Sequence, residues 1–322
     1  MNKDEIYLEN MFYMEKIVYN LDLKERIDSY LAWNFSYSRN FFYHIIEREW
    51  VLVNWKKIKK SYKLKKWDII EIDNLERYLD SSFLEELPFV DIPILLEKQD
   101  YIIINKPKWV LSHPNSIWDL SAPSVVAFLY QKYKELPSIG NFIRAGLVHR
   151  LDKETDGLMI VAKTEKWLEY FKNLFNKKSQ LIDSILNELW KENIDYDKLE
   201  KVENEVGLKK FYRAKVEITK KWELFLNSID KFPYYITEIV KAKVPHSIEK
   251  MWITKIIWLN ENNIKLQIIT WRTHQIRYHL SSSWLSIVGD YLYWKEDKNK
   301  MQLTAYKLEF IDINWDFIII EI

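Results

Sequence analysis

Gly146-Leu147-Val148-His149-Arg150-Leu151-Asp152-Lys153-Glu154-Thr155-Asp156-Gly157-Leu158 is the most informative stretch of the chain, and it is answered far downstream by Arg272-Thr273-His274-Gln275-Ile276-Arg277. The first run sets Asp152 among cations just ahead of Met159-Ile160-Val161-Ala162, a strand candidate. The second is rich in basic and hydrogen-bonding side chains. A lone Asp and Arg in a sequence is most often a buried structural pair. Two long polar motifs make Asp152 and the arginines of the second run candidates for a functional site.

Composition sets the frame. At 322 residues the chain can bury a substantial core, as one large domain with a small one or as two of medium size. No apolar run reaches the roughly 18 residues of a membrane span, and Met1-Asn2-Lys3-Asp4-Glu5 lacks a secretory signal, so a cytoplasmic protein is expected. With no cysteine there is no disulfide framework, thiolate nucleophile or cysteine zinc site. The six histidines are scattered without metal-ligand spacing, so neither a metal nor another cofactor is expected. The net charge of +1 conceals an uneven distribution. Lys56, Lys57, Lys59, Lys60, Lys63, Lys65 and Lys66 stand with no acid among them, whereas 183–205 holds eight acids against three lysines.

A short lead segment, 1–20, precedes a region where Ile27 and Leu31 recur at helical spacing and Val51 and Val53 alternate as in a half-buried strand. This small region, 21–75, ends in a linker over 76–92 that contains Pro88. The rest, 93–322, reads as strands with interspersed helices and no regular strand–helix alternation. That pattern indicates an α+β fold with a mixed, largely antiparallel sheet. Within it, 166–208 reads as a helical, acidic insertion.

Five motifs in order resemble the RluA-type pseudouridine synthases: Asn105-Lys106-Pro107 with His113-Pro114, the His149-Arg150-Leu151-Asp152 run, Lys210-Phe211-Tyr212-Arg213-Ala214, Arg272 to Leu280, and Val288-Gly289-Asp290 with Tyr293. Residues 21–75 resemble the S4 RNA-binding module, a small α/β domain. The resemblance implies a pseudouridine synthase fold and isomerisation of uridine in structured RNA, of the large ribosomal subunit or, as the nearest alternative, tRNA. It makes Asp152 the nucleophile, with Arg277 paired to it to keep it ionised and Tyr212 packed on the target base. Arg150 would fill the space left by the flipped-out uridine, and Arg272, Lys106 and His113 would contact RNA. Arg39, Lys56 and Lys57 would grip phosphates from the S4-like region. A monomer is expected. A non-catalytic RNA-binding or ribosome-assembly protein is the rival of another class. Glycoside hydrolysis would need a second placed acid that the signature does not offer. Thr304 stands where the family often has His, which puts one peripheral hydrogen bond in question.

Fifteen tryptophans against five glycines is an inverted ratio, since roughly 23 glycines are usual at this length. Asn54-Trp55 sits where Asn-Gly would make a type I′ hairpin, and Trp67 precedes an Asp-led strand where glycine suits the turn. Trp50, Trp109, Trp118, Trp271, Trp284 and Trp294 also stand at glycine positions of the resembled families. Many of these tryptophans read as UGA codons that an altered genetic code translates as glycine. Trp33, Trp167, Trp190, Trp222, Trp252, Trp258 and Trp315 are left undecided by the motifs.

Overall fold

The computed structural model describes residues 15–35, 39–47, 50–72, 87–114, 121–133, 136–137, 144–188, 194–220, 232–240, 250–294 and 300–322. Trp118, Trp190, Trp222 and most of the linker expected over 76–92 lie outside them. The chain divides into one unit of residues 1–90, 113–134 and 138–145, and a second of 91–112, 135–137 and 146–322.

In the first unit two short helices, α1 (Ile27–Phe35) and α2 (Arg39–Glu47), accompany strands β1 (Glu15–Val18), β2 (Val51–Val53), β3 (Lys56–Lys57) and β4 (Ile69–Ile72). The strands form one antiparallel sheet in the order β1-β4-β2-β3. Glu15–Val18, inside the stretch read as a lead segment, is therefore a paired strand. The helical positions Ile27, Leu31, Phe42 and Ile45 and the alternating Val51 and Val53 are all buried in one cluster with Leu64, Ile70 and Ile72. The β2–β3 hairpin turns on Asn54 and Trp55 at φ 51° and 61°, the left-handed pair that a type I′ turn demands. Asn54 ties the turn down by donating to Asp68 at 2.8 Å and accepting from the Ile69 amide at 2.9 Å. Helix α3 (Val125–Lys132) also falls in this unit, capped at its N-terminus by Ser124, whose hydroxyl accepts from the Ala127 amide.

The second unit is built on a ten-stranded sheet. Its strands are β5 (Ile94–Glu97), β6 (Tyr101–Lys106), β7 (Asp156–Ala162), β8 (Leu208–Ile218), β9 (Tyr234–Val240), β10 (Lys250–Asn260), β11 (Asn263–Ile268), β12 (Leu285–Ile287), β13 (Leu303–Ile311) and β14 (Phe317–Glu321). The order is β5-β6-β7-β13-β8-β11-β10-β9, with β12 also on β8 and β14 also on β13. Every pairing is antiparallel except β7 with β13, which agrees with the mixed, largely antiparallel sheet expected. That parallel pairing needs Gly157: a Cβ there would lie 2.3 Å from the Ala305 carbonyl oxygen, and its φ is 120°. Thr304, in the same pairing, donates a hydrogen bond to Asp156 at 2.9 Å.

Helices α4 (Glu165–Glu188) and α5 (Tyr196–Val206) form the acidic stretch, and α6 (Gln275–Ser282) follows the second motif. The α4 positions Trp167, Leu168 and Phe171 bury against Tyr101, Ile103, Leu158 and Phe310 of the sheet. Farther along α4, Lys178 is fully buried; its ammonium donates to Glu203 of α5 and to the Leu208 carbonyl, and Gln267 of β11 donates to the other Glu203 oxygen. Two helices of mostly polar surface are thereby fastened to the sheet through one buried cation. Among the described residues no helix is long and apolar enough to cross a membrane.

On α6, His279 is fully buried, with Nδ1 2.9 Å from the Thr254 hydroxyl and Nε2 without a partner. Burial lowers its pKa from 6.5 to about 4. The unfolded chain binds a proton here that the folded chain refuses. Stability is thus full above pH 6.5 and falls as pH drops toward about 4, by about 1.4 kcal/mol per pH unit for this one group. Urea unfolding between pH 7 and pH 5 should show that loss, and His279→Gln should flatten it.

Candidate active site

The loop 146–155 presents Asp152 from a backbone held by a set of anchors. The Ser112 hydroxyl donates to the Leu151 carbonyl at 2.6 Å and accepts from the Leu151 amide at 3.0 Å, bracketing the residue before the carboxylate. The Thr155 amide closes a turn on the Asp152 carbonyl at 3.1 Å, and the Trp109 amide holds the Lys153 carbonyl at 2.7 Å. Asp152 itself is 19% exposed. Arg150 lies 4.0 Å from its carboxylate and the His274 imidazole 3.9 Å.

The second motif is anchored just as firmly. Gln275 accepts from the Thr270 hydroxyl at 2.8 Å and donates to the Ile253 carbonyl at 2.9 Å. His274 takes a left-handed backbone, φ 57°, at the start of α6, with Nδ1 3.2 Å from the Tyr293 hydroxyl. That conformation turns its ring toward Asp152. The sequence motif contains His274 but by itself gives it no role.

Arg277 is the main correction. The resemblance pairs it with Asp152, but its guanidinium forks onto Asp290 at 2.9 and 2.7 Å and approaches Glu154 at 3.8 Å. Burial alone would lower its pKa, yet Asp290 first, then Glu154 and Asp152, hold it above the ordinary value. Asp152 thus acts on Arg277 through its field, without a direct bridge. The physical reason is geometric, because Asp290 also accepts from the Leu292 and Tyr293 amides and so presents its carboxylate to Arg277 in a fixed orientation.

Asp152, Arg150, Tyr212, Arg272 and Arg277 all line one cavity of about 340 Å³, together with His149, Lys210, Trp271 and His274. Tyr212 is 5% exposed, and burial, followed by the Asp152 charge, pushes its phenol well above 10. It is a neutral ring at any working pH. Helix α4 supplies one wall through Phe175, Asn176 and Ser179, and one turn further Asp183 pairs with Arg272 at 3.3 Å. Trp271 packs edge-on against Phe175 at 5.2 Å, with its indole nitrogen buried and unpartnered.

Other expected RNA contacts fall elsewhere. Lys106 is fully buried and donates to the Pro107 and Val110 carbonyls at 2.9 and 2.8 Å, so it fastens the loop from inside instead of reaching for RNA. Burial lowers its pKa to about 8, against the opposing fields of Asp156, Asp152 and Glu154. His113, Arg39, Lys56 and Lys57 belong to the first unit. There His113 donates from Nδ1 to the Pro114 carbonyl at 2.8 Å, Arg39 bonds Asp28 at 3.1 Å while staying half exposed, and Lys56 and Lys57 are exposed on β3.

Lys210 and His149 gain a role only from the structure. Lys210 sits two residues before Tyr212 on β8, and the two-residue repeat of a strand puts both on one face. His149 accepts the Ile160 amide on Nε2 at 3.0 Å and places Nδ1 3.2 Å from the Lys210 nitrogen.

The family model described as RNA pseudouridylate synthase matches residues 100–183, which contain the Asp152 loop and β7. The ribosomal large subunit pseudouridine synthase D of Borreliella burgdorferi is 30% identical over 308 residues, 89% of this chain and 82% of the relative. An uncharacterized RNA pseudouridine synthase of Aquifex aeolicus is 28% identical over 276 residues, 84% of this chain and 77% of the relative. Among solved structures, human RNA pseudouridylate synthase domain containing 1 covers 73% of this chain and 85% of its own at 17% identity with a TM-score of 0.49. Matched at 30% identity over most of both chains by the Borreliella relative, this chain belongs to the RNA pseudouridine synthase family.

Proposed function

We propose that this RNA pseudouridine synthase isomerises uridine in large-subunit ribosomal RNA, with Asp152 as the one carboxylate that the reaction needs. The observation that carries the assignment is its setting: a carboxylate held by a bracketed loop at a cavity that also presents Tyr212, Arg150 and His274. Breaking the N1–C1′ bond leaves positive charge at the sugar, which a fixed anion stabilises as nucleophile or counter-charge. Tyr212, a neutral buried ring, packs on the uracil. Arg150, more than half exposed, takes the place of the flipped-out base, because the glycosidic carbon is out of reach inside a stacked helix. Arg277 is a positioning residue that fixes the chain around Asp290 and Glu154 and lends its field to Asp152. The ribosomal substrate is the one named for the Borreliella relative. Pseudouridine mapping on unmodified ribosomal RNA and tRNA should show new sites in ribosomal RNA with the unsubstituted protein and none with Asp152→Ala, at RNA affinity within about twofold. Turnover by Asp152→Ala sinks the assignment, and modification of tRNA alone moves the substrate class.

The 21–75 region is read as an S4-like grip in which Lys56, Lys57 and their neighbours meet phosphates. Neutralising Lys56, Lys57, Lys59 and Lys60 together should weaken RNA binding and lower the slope of log affinity against log salt by about one unit for each phosphate no longer neutralised by a lysine. An unchanged slope would mean that the lysines are only a solvated face.

Many tryptophans are read as standing for glycine in the natural protein. Trp55, Trp67, Trp109, Trp284 and Trp315 have φ between 59° and 72°, a region that costs a bulky L-residue about 1–2 kcal/mol and glycine nothing. All five indoles are also substantially exposed, from 43% at Trp109 to 85% at Trp315. Trp284 occupies the position just past the end of α6 where a left-handed glycine ordinarily closes a helix. Peptides from the protein made in its own cells should carry the mass of glycine at these five positions. In recombinant protein each Trp→Gly change there should raise unfolding free energy by about 1 kcal/mol. Tryptophan at all five in the native peptides ends this reading.

A further inference from the structure

Isomerisation to pseudouridine ends with a proton at C5 of the re-attached uracil that must be removed, and Asp152, engaged at the sugar, is not free to take it. Tyr212 is disfavoured as well, because burial and the Asp152 charge raise the pKa of its phenol. Of the other groups lining the cavity, His274 is turned between the Tyr293 hydroxyl and Asp152, which leaves Lys210, on the strand face of Tyr212, to act.

His149 is half-buried and its Nε2 accepts the Ile160 amide proton at 3.0 Å, so that nitrogen carries no hydrogen of its own. A neutral imidazole has one proton, which must then sit on Nδ1. Nδ1 faces the Lys210 nitrogen at 3.2 Å, the Arg150 backbone being the ring's other polar neighbour, and a hydrogen bond from Nδ1–H to Lys210 needs a lone pair on that nitrogen. Such a lone pair exists only on the free amine. The alternative, an ammonium donating to Nδ1, would leave the imidazole with no proton on either nitrogen. Lys210 is 3% exposed and lines the cavity on the same strand face as Tyr212, with its nitrogen 5.8 Å from the Tyr212 ring centre.

We propose that Lys210, kept as a free amine by the Nδ1–H of His149, is the catalytic base that removes the C5 proton. The proposal rests on the reading of the cavity as the uridine site. In the step, the C5–H bond breaks and its proton bonds to the Lys210 nitrogen, giving an ammonium. The electron pair of that bond restores the C5=C6 double bond of the ring. The ammonium then returns a proton to N1, which the cleavage of the glycosidic bond left without one. Atoms and charge balance with no oxidant, reductant or co-reactant.

The surroundings agree with the proton inventory. The charged and titratable groups facing Lys210 are His149 from the loop, Lys178 from α4, Asp152 from the loop and Tyr212 from its own strand. Burial first, then the Lys178 charge, lower its pKa to about 7, against the opposing pull of Asp152. The amine fraction therefore rises with pH through about 7 and the ammonium dominates below it.

The test uses the full chain and RNA carrying uridine or 5-deuterouridine, in single turnover from pH 5.5 to 8.5. With the unsubstituted protein the rate should fall on the acid side with an apparent pKa near 7. Lys210→Met, close in size and uncharged, should lose about 100-fold or more in rate, the contribution typical of a positioned base. It should also lose the acid limb and show a primary deuterium isotope effect larger than that of the unsubstituted protein, with RNA affinity unchanged. Lys210→Arg, which keeps a cation but has no basic form, should be impaired as badly. A Lys210→Arg protein as active as the unsubstituted one, or an acid limb that persists in Lys210→Met, overturns the proposal, since either would mean that Lys210 serves only as charge or packing. Asp152→Ala in the same series reports separately on the cavity: turnover there overturns the reading of the site, whatever Lys210 does.

Discussion

The fork of Arg277 onto Asp290 is the interaction on which the site is assembled. Both groups are almost fully buried, so each would be costly without the other, and removing one partner of such a pair typically costs about 3–5 kcal/mol. The pair welds the first turn of α6 to the segment that follows β12. The same guanidinium reaches Glu154, two residues beyond Asp152, and so links the two sequence motifs across the second unit. The Asp152 loop thus gains a buried cation nearby without a direct bridge to Asp152 itself.

Around that weld the loops are immobilised by neutral groups. Ser112 brackets Leu151, Gln275 spans Thr270 and Ile253, and His149 is threaded between the Ile160 amide and Lys210. Neutral anchors suit this place, since more charge near Asp152 would compete for it. The basic character of the cavity comes instead from Arg150, Arg272 and Arg277, with their differing exposures and partners.

Much of this is legible in the sequence, and the division follows physical lines. Asp152, Arg150, Tyr212 and Arg272 are legible because each lies in a motif readable as a short run of sequence, although it is the sheet that brings those runs to one cavity. The sheet type follows from the alternation and length of the strands. What the sequence does not disclose are choices between competing partners. Arg277 has three acids within its field, and only tertiary placement decides for Asp290. Lys106 looks like any lysine beside a proline until burial turns its ammonium onto two carbonyls. The strained tryptophans are half legible: Asn54-Trp55 is marked by the strands and lysines around its turn, yet Asn314-Trp315, the same dipeptide in the β13–β14 hairpin with Trp315 also left-handed, has no motif to mark it.

The helices over 165–206 carry a consequence of another kind. Through Lys178, Glu203 and Gln267 they are riveted into the sheet, and through Asp183 they hold Arg272 at the wall of the candidate cavity. A helix pair that shares a buried charge with the sheet beneath it cannot be trimmed as surface decoration. Without these helices Gln267 and the Leu208 carbonyl would lose their buried partners and Arg272 its acid. The polar outer helices are therefore part of what keeps the interior satisfied, and the cavity wall depends on them.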